Sequence, residues 1–140
     1  MSGFVTNIER ATLKNDDFRR VLFTGPALQL VLMTLRPGEE IGEETHADHD
    51  QFIRVEQGTG RVVLDGEGQT LQDGSAVVIP AGVRHNVINT SGDAPLKLYT
   101  LYSPPEHAPD AVHHTRAEAE VRRRATDTDV SPPIVKRAKR

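Results

Sequence analysis

Between Arg20 and Tyr102 the chain is broken into short apolar runs, each stopped by glycine or proline, and this punctuation constrains its fold more than any other feature. Val21-Leu22-Phe23-Thr24 ends at Gly25-Pro26, and Ala27 to Leu35 is followed by Pro37-Gly38. Phe52-Ile53-Arg54-Val55 gives way to Gly58-Thr59-Gly60, Arg61-Val62-Val63-Leu64 to a hairpin loop at Asp65-Gly66-Glu67-Gly68, and Ala76-Val77-Val78-Ile79 to Pro80-Ala81-Gly82. Val87-Ile88 and Leu96 to Tyr102 complete the series before Pro104-Pro105. Runs this short, with β-branched residues inside and turn formers at both ends, read as strands and leave no room for a convincing helix. Many such strands in succession predict an all-β antiparallel sandwich or barrel.

At 140 residues the chain has the length of one domain with one core. The barrel is expected over residues 21–103, with residues 1–20 as an arm that packs loosely or against a neighbouring chain. Residues 104–124 form an irregular extension in which Ala117 to Arg124 can make about two helical turns. The formal charge is −7 over residues 1–115 and +4 over residues 116–140. The stretch 125–140 is polar, proline-containing and basic, a composition that predicts a disordered tail. No aromatic is interleaved with its charges for stacking on bases, so nucleic acid is not the expected partner. The amino terminus lacks the pattern of a secretory signal, and no window approaches the roughly twenty apolar residues of a membrane span. A cytoplasmic protein without a membrane partner is expected.

There is no cysteine, which excludes disulfide frameworks, thiolate nucleophiles and sulfur-ligated zinc. Any metal must therefore be held by nitrogen and oxygen. The stretch Glu44-Thr-His-Ala-Asp-His-Asp-Gln51 concentrates such donors between apolar segments, where they are costly unless something binds them. In a strand, Glu44 and His46 share a face, and a reversal after Asp48 returns Gln51 to it, in phase with Ile53 and Val55. His85 comes from a separate strand, with Val87 and Asn89 in phase. Two imidazoles, one carboxylate and one amide oxygen make an N2O2 set for a divalent transition metal. Zn, Mn, Fe, Ni and Cu are not distinguished by it. The competing reading is a metal-free barrel in which His46 and His85 are satisfied core residues. His49 is expected on a solvent-facing turn, and His107, His113 and His114 on the surface. The lesser alternative folds His107 over the barrel mouth. Asp48 and Asp50 lack the spacing of a calcium loop.

The segment Gly38-x5-Glu44-x-His46-x4-Gln51-x6-Gly58 has the spacing of the first signature of the cupin superfamily, and Gly74-x5-Pro80-x-Gly82-x2-His85-x3-Asn89 matches the second. The chain resembles a small single-domain cupin, which implies the double-stranded β-helix, or jelly-roll, barrel. Cupins usually carry His-x-His and then Glu in the first signature. Here Glu44 and Gln51 stand at those outer positions, and each still offers an oxygen donor.

The resemblance implies a choice among activities. Dioxygenases of this fold use three histidines, or three with a glutamate, and only two histidines fall on the ligand positions here. Cupin-type phosphomannose isomerases have a similar inventory of two His, one Glu and one Gln. The favoured expectation is a redox-neutral isomerase or lyase acting on a small polar, sugar-like or carbonyl substrate. A metal-dependent dioxygenase and a non-catalytic small-ligand-binding cupin are the alternatives, and no catalytic residue is assigned. Cupins of this size often form homodimers through an amino-terminal strand, and residues 4–24 are the candidate for that strand.

Overall fold

The computed structural model describes residues 2–121. The expected disordered tail at 125–140 lies outside the described residues, as do residues 122–124 of the expected helical turns. One helix, α1 (Ile8–Lys14), precedes nine strands: β1 (Arg19–Thr24), β2 (Gln29–Leu35), β3 (Asp50–Gln57), β4 (Gly60–Leu64), β5 (Glu67–Leu71), β6 (Ala76–Ile79), β7 (His85–Asn89), β8 (Leu96–Ser103) and β9 (Val112–His113). Residues 116–121 are helical. A six-stranded antiparallel sheet in the order β6-β3-β8-β2-β1-β9 faces a three-stranded one in the order β5-β4-β7. This is the mostly-β, two-sheet jelly-roll barrel that the resemblance implies, and no helix among the described residues is long and apolar enough to cross a membrane.

Alternation within strands fills the space between the sheets. Ile53 and Val55 of β3, Val31, Met33 and Leu35 of β2, and Leu98 of β8 are almost wholly inaccessible and meet Val62 and Val87 from the smaller sheet. On the outer face, the register places Val78 beside Phe52, Phe52 beside Leu101, Leu101 beside Leu30 and Leu30 beside Phe23. Phe4 stacks on Phe23 at 5.4 Å between ring centroids. The first residues are thus laid against their own sheet.

The arm expected over residues 1–20 contains two elements. Asn7 caps α1 by accepting a hydrogen bond from Arg10 N at 2.9 Å, and Glu9 and Lys14 suit the helix dipole at the first and last turns. Arg19 and Arg20 already belong to β1. The hairpin after β4 is also tighter than expected. Asp65 and Gly66, both with positive φ, form a two-residue turn, and Glu67 and Gly68 pair in β5.

Gly58 shows why the first signature ends in glycine. Its φ is +117°, and a Cβ there would stand 2.7 Å from the Pro95 carbonyl oxygen and 3.0 Å from Leu96 Cα. Both obstacles are backbone. Gly58→Ala is expected to cost about 1–3 kcal/mol from the dihedral alone, and the contact adds to it. Thermal unfolding by circular dichroism should show a midpoint lowered by about 5–10 °C; an unchanged midpoint would contradict this account of the loop.

Candidate metal centre

Two backbone devices bring the donors together. Residues 39–44 run along β7 as an irregular strip, with Ile41 N donating to Val87 O and Asn89 N to Glu39 O. The strip ends in a bridge in which Glu44 and His85 exchange both backbone hydrogen bonds at 2.8 Å. Residues paired this way project to the same face. Glu44 and His85 are therefore direct neighbours, and the strand alternation expected to align Glu44 with His46 is not what places them. His46 lies in a loop whose carbonyl accepts from Gly82 N at 2.9 Å, while Asp50 accepts from Ala81 N through its carboxylate. The loop of the first signature is thereby tied to the Pro80-Ala81-Gly82 turn of the second.

Glu44, His46 and His85 form a group whose ligand atoms all lie within 4.8 Å of one another. Glu44 Oε1 is 3.3 Å from His46 Nε2 and 4.0 Å from His85 Nε2. Donors about 2.1 Å from a shared ion lie roughly 3–3.4 Å apart, so the first pair is already at ligand spacing and His85 is set slightly wider. His85 Nδ1 faces the Val83 carbonyl at 2.9 Å. That contact places the proton on Nδ1 and turns the Nε2 lone pair toward Glu44. Burial, the dominant influence, lowers the His85 pKa and keeps the ring neutral. Burial alone would raise the Glu44 carboxyl, but the hydrogen bond and attraction of His46, then the charge of Arg19, outweigh it. The net direction is downward, and Glu44 is ionised. Such a group can hold a metal ion.

The family described as Cupin domain matches residues 31–102, which contain every residue of this cluster. The chain is a cupin. It is 50% identical over 122 residues to the uncharacterized protein YrkC of Bacillus subtilis, covering 83% of this chain and 65% of YrkC, slightly under two thirds of that relative's length. The crystal structure of BH2720 from Bacillus halodurans is similar with a TM-score of 0.82 and 46% identity, over 86% of this chain and 95% of that one. A mannose-1-phosphate guanylyltransferase of Salmonella montevideo is 32% identical over 79 residues, which cover 56% of this chain and 17% of that enzyme.

Gln51 points into this cupin's interior from β3, as its phase with Ile53 and Val55 predicts, and is 4% exposed. Its Nε2 donates to Thr100 Oγ1 at 3.0 Å, which leaves Oε1 buried with no hydrogen-bond partner. Gln51 pairs across the sheet with Tyr102, whose ring meets the His46 ring edge-on at 5.9 Å.

Several residues around the centre lie where the sequence did not place them. His49 is not on a solvent-facing turn. It is half-buried, with Nε2 2.9 Å from Glu106 Oε1 and Nδ1 2.8 Å from the Pro104 carbonyl. Glu106 also reaches within 3.6 Å of His46 Nδ1, the side of the ring away from Glu44. A carboxylate there can orient a ligating imidazole and raise its basicity. His107 is not a surface residue either. Its ring packs edge-on against Tyr102 at 5.1 Å, and its Nε2 is buried. Burial above all, and then the charge of Arg19, pushes its pKa well below the ordinary range.

Gln29 positions this mouth segment. The wholly buried side chain accepts from the backbone N–H groups of Glu106 and His107 and donates to the His107 carbonyl. Of the other histidines, His113 sits on β9 with Nδ1 3.3 Å from Arg19 Nη1. His114 is the surface residue expected, 69% exposed and paired with Asp17.

Proposed function

We propose that this cupin holds a divalent transition metal with Glu44, His46, His85 and Gln51, and acts as a redox-neutral isomerase or lyase on a small polar, sugar-like or carbonyl substrate. The observation that carries the reading is the donor set itself. His85 Nε2, grouped with an ionised carboxylate and a second imidazole, is buried without a hydrogen-bond partner, and the inward-facing Gln51 Oε1 is buried without one too. Each unsatisfied buried group costs about 1–3 kcal/mol. A cation satisfies both acceptors at once.

A bound ion supplies Lewis-acid polarisation of a substrate oxygen. Glu44, His46 and His85 would hold it, and the amide at Gln51 would leave more positive charge on it than a second carboxylate would. Tyr102 keeps its proton, because burial first, and then the charges of Glu44 and Glu106, raise its hydroxyl pKa. The inventory of two imidazoles supports redox-neutral chemistry over oxygen activation. The likeness to an enzyme named for mannose 1-phosphate supports a sugar-like substrate. A homodimer belongs to the same reading, supported by the outer-face row Val78, Phe52, Leu101 and Leu30, in which Val78 is 67% exposed.

The test is elemental analysis of the protein as isolated, followed by dioxygen uptake with diketones, catechols and thiols in an oxygen electrode. About one divalent ion per chain and no uptake are expected. Metal-dependent oxygen consumption would replace the isomerase or lyase reading with the dioxygenase one.

A further inference from the structure

Among the described residues two lysine or arginine side chains are buried, Lys97 and Arg19, and only the first has an anionic partner. Lys97, 7% exposed, has Asp16 at 3.0 Å. Arg20, on the outward face of β1, has Asp17 at 2.8 Å. Arg19, one residue before it, faces inward with Val21 and is 8% exposed. Its guanidinium lies 5.3 Å above the Phe18 ring, and Nη1 is 3.3 Å from His113 Nδ1. Its Nε is buried with no hydrogen-bond partner, and no carboxylate among the described residues lies within 4.0 Å of it. A guanidinium cannot escape this by losing its proton. Removing a charge from water without a counter-ion is one of the most expensive arrangements a core can contain.

Arg19 lies on the inner face of the six-stranded sheet, the face from which Gln29, Tyr102 and Gln51 also point inward. The positive charge of Arg19 acts on the Glu44 carboxyl, the Tyr102 hydroxyl and the His107 ring. Glu44 is the interior carboxylate that feels it, and Glu44 is committed to the cluster with His46 and His85. With a divalent ion in place, the charged groups of the interior are that ion and Arg19 against Glu44 and Glu106. The sum is +1. One monoanion neutralises it, and a planar carboxylate matches the fork of a single guanidinium.

We propose that Arg19 is the anion-recognition residue of this site, binding the carboxylate of a small acid whose adjacent carbonyl or hydroxyl oxygen faces the Glu44, His46 and His85 cluster. The placement of that second oxygen and the charge balance both rest on the metal reading given above, whereas the buried, unpaired guanidinium of Arg19 does not. A dianionic phosphate is disfavoured because Arg19 is a single guanidinium, with no second unpaired cation beside it among the described residues.

The test measures binding of pyruvate, glycolate, pyruvamide and inorganic phosphate by calorimetry and thermal shift, on zinc-loaded and chelator-stripped full-length protein. Wild type is expected to bind pyruvate or glycolate at least 10-fold more tightly than the uncharged pyruvamide. Arg19→Gln should weaken the acid at least 10-fold while zinc affinity stays within about threefold, and Arg19→Lys should fall between them. The proposal is overturned if Arg19→Gln binds the acids as wild type does, or if neither acid binds. It is equally overturned if pyruvamide binds as well as pyruvate, or if phosphate is the preferred Arg19-dependent ligand. Should Arg19→Gln fail to fold, Arg19→Lys and the comparison of pyruvate with pyruvamide on wild type decide the matter. Absent zinc binding with Arg19-dependent acid binding on the stripped protein would remove the metal reading and leave Arg19 assigned.

Discussion

His85→Ala is expected to abolish divalent-metal binding while leaving the barrel folded. The reasoning separates the side chain from its backbone. The bridge that holds Glu44 to His85 is made by the main-chain N–H and carbonyl groups of both residues, and alanine keeps all of them. What is lost is an imidazole whose Nε2 is already stripped of competitors and fixed in tautomer by Val83. Changing the partners of a ligand typically costs 10–100-fold in affinity, so deleting the ligand should cost at least about 100-fold. Calorimetric titration with zinc is the direct measurement. Linkage gives a second one: an ion at 100 times its Kd stabilises the fold by about 2.7 kcal/mol. A chelator should therefore lower the melting temperature of wild type and leave that of His85→Ala unmoved. His114→Ala, at the exposed histidine, should behave as wild type. Unchanged zinc affinity in His85→Ala would end the metal assignment.

The central residues 38–89 were legible because each signature position carries a local physical demand. Gly58 and Gly82 have positive φ, and the alternation of β3 and β7 aims Gln51 and His85 inward. Glu44 and His46 were reached through an alternation that the structure does not use; a backbone bridge and a loop contact bring them together instead. The mouth was illegible for a different reason. Glu106 and His107 sit in a stretch with no hydrophobic period, and they are held by Gln29, almost eighty residues earlier in the chain. Nothing local marks Gln29 as an inward clamp within an apolar strand. Arg19 was hidden in the same way, since adjacent arginines read as a solvated pair until the parity of β1 sends one inward. By contrast, α1 was missed, with residues 1–20 read as a loose arm, although Asn7 before Ile8 and Lys14 at its end are capping signals in the sequence itself.

Asn89→Ala is expected to be the most destabilising substitution in the second signature, although Asn89 belongs to no chemistry. The residue is 1% exposed at the end of β7. Its Nδ2 donates to the carbonyls of Leu35 and Arg36 at 3.1 Å and of Ala94 at 2.9 Å, and its Oδ1 accepts from Ser91 N at 2.9 Å. One side chain thus ties the end of β2 to the loop before β8. Alanine removes these bonds at buried or partly buried positions: the Leu35 and Ala94 carbonyls and Ser91 N lose the Asn89 side chain, while the Arg36 carbonyl keeps Glu39 N as a donor. At about 1–3 kcal/mol for each group left unsatisfied, shared donors reducing the sum, a loss of roughly 3–5 kcal/mol in urea unfolding is expected. That is a large fraction of the total stability of a domain this size. Asn89→Asp sharpens the test, because an ionised carboxylate facing three carbonyls is worse than alanine. The aspartate must take up a proton to donate, so its folded-state pKa lies above its unfolded one. Its stability deficit relative to Asn89→Ala should therefore shrink as pH falls through that raised pKa. Zinc affinity of folded Asn89→Ala should match wild type. A loss below about 1 kcal/mol, or a selective loss of zinc binding, would instead move Asn89 from the scaffold to the site.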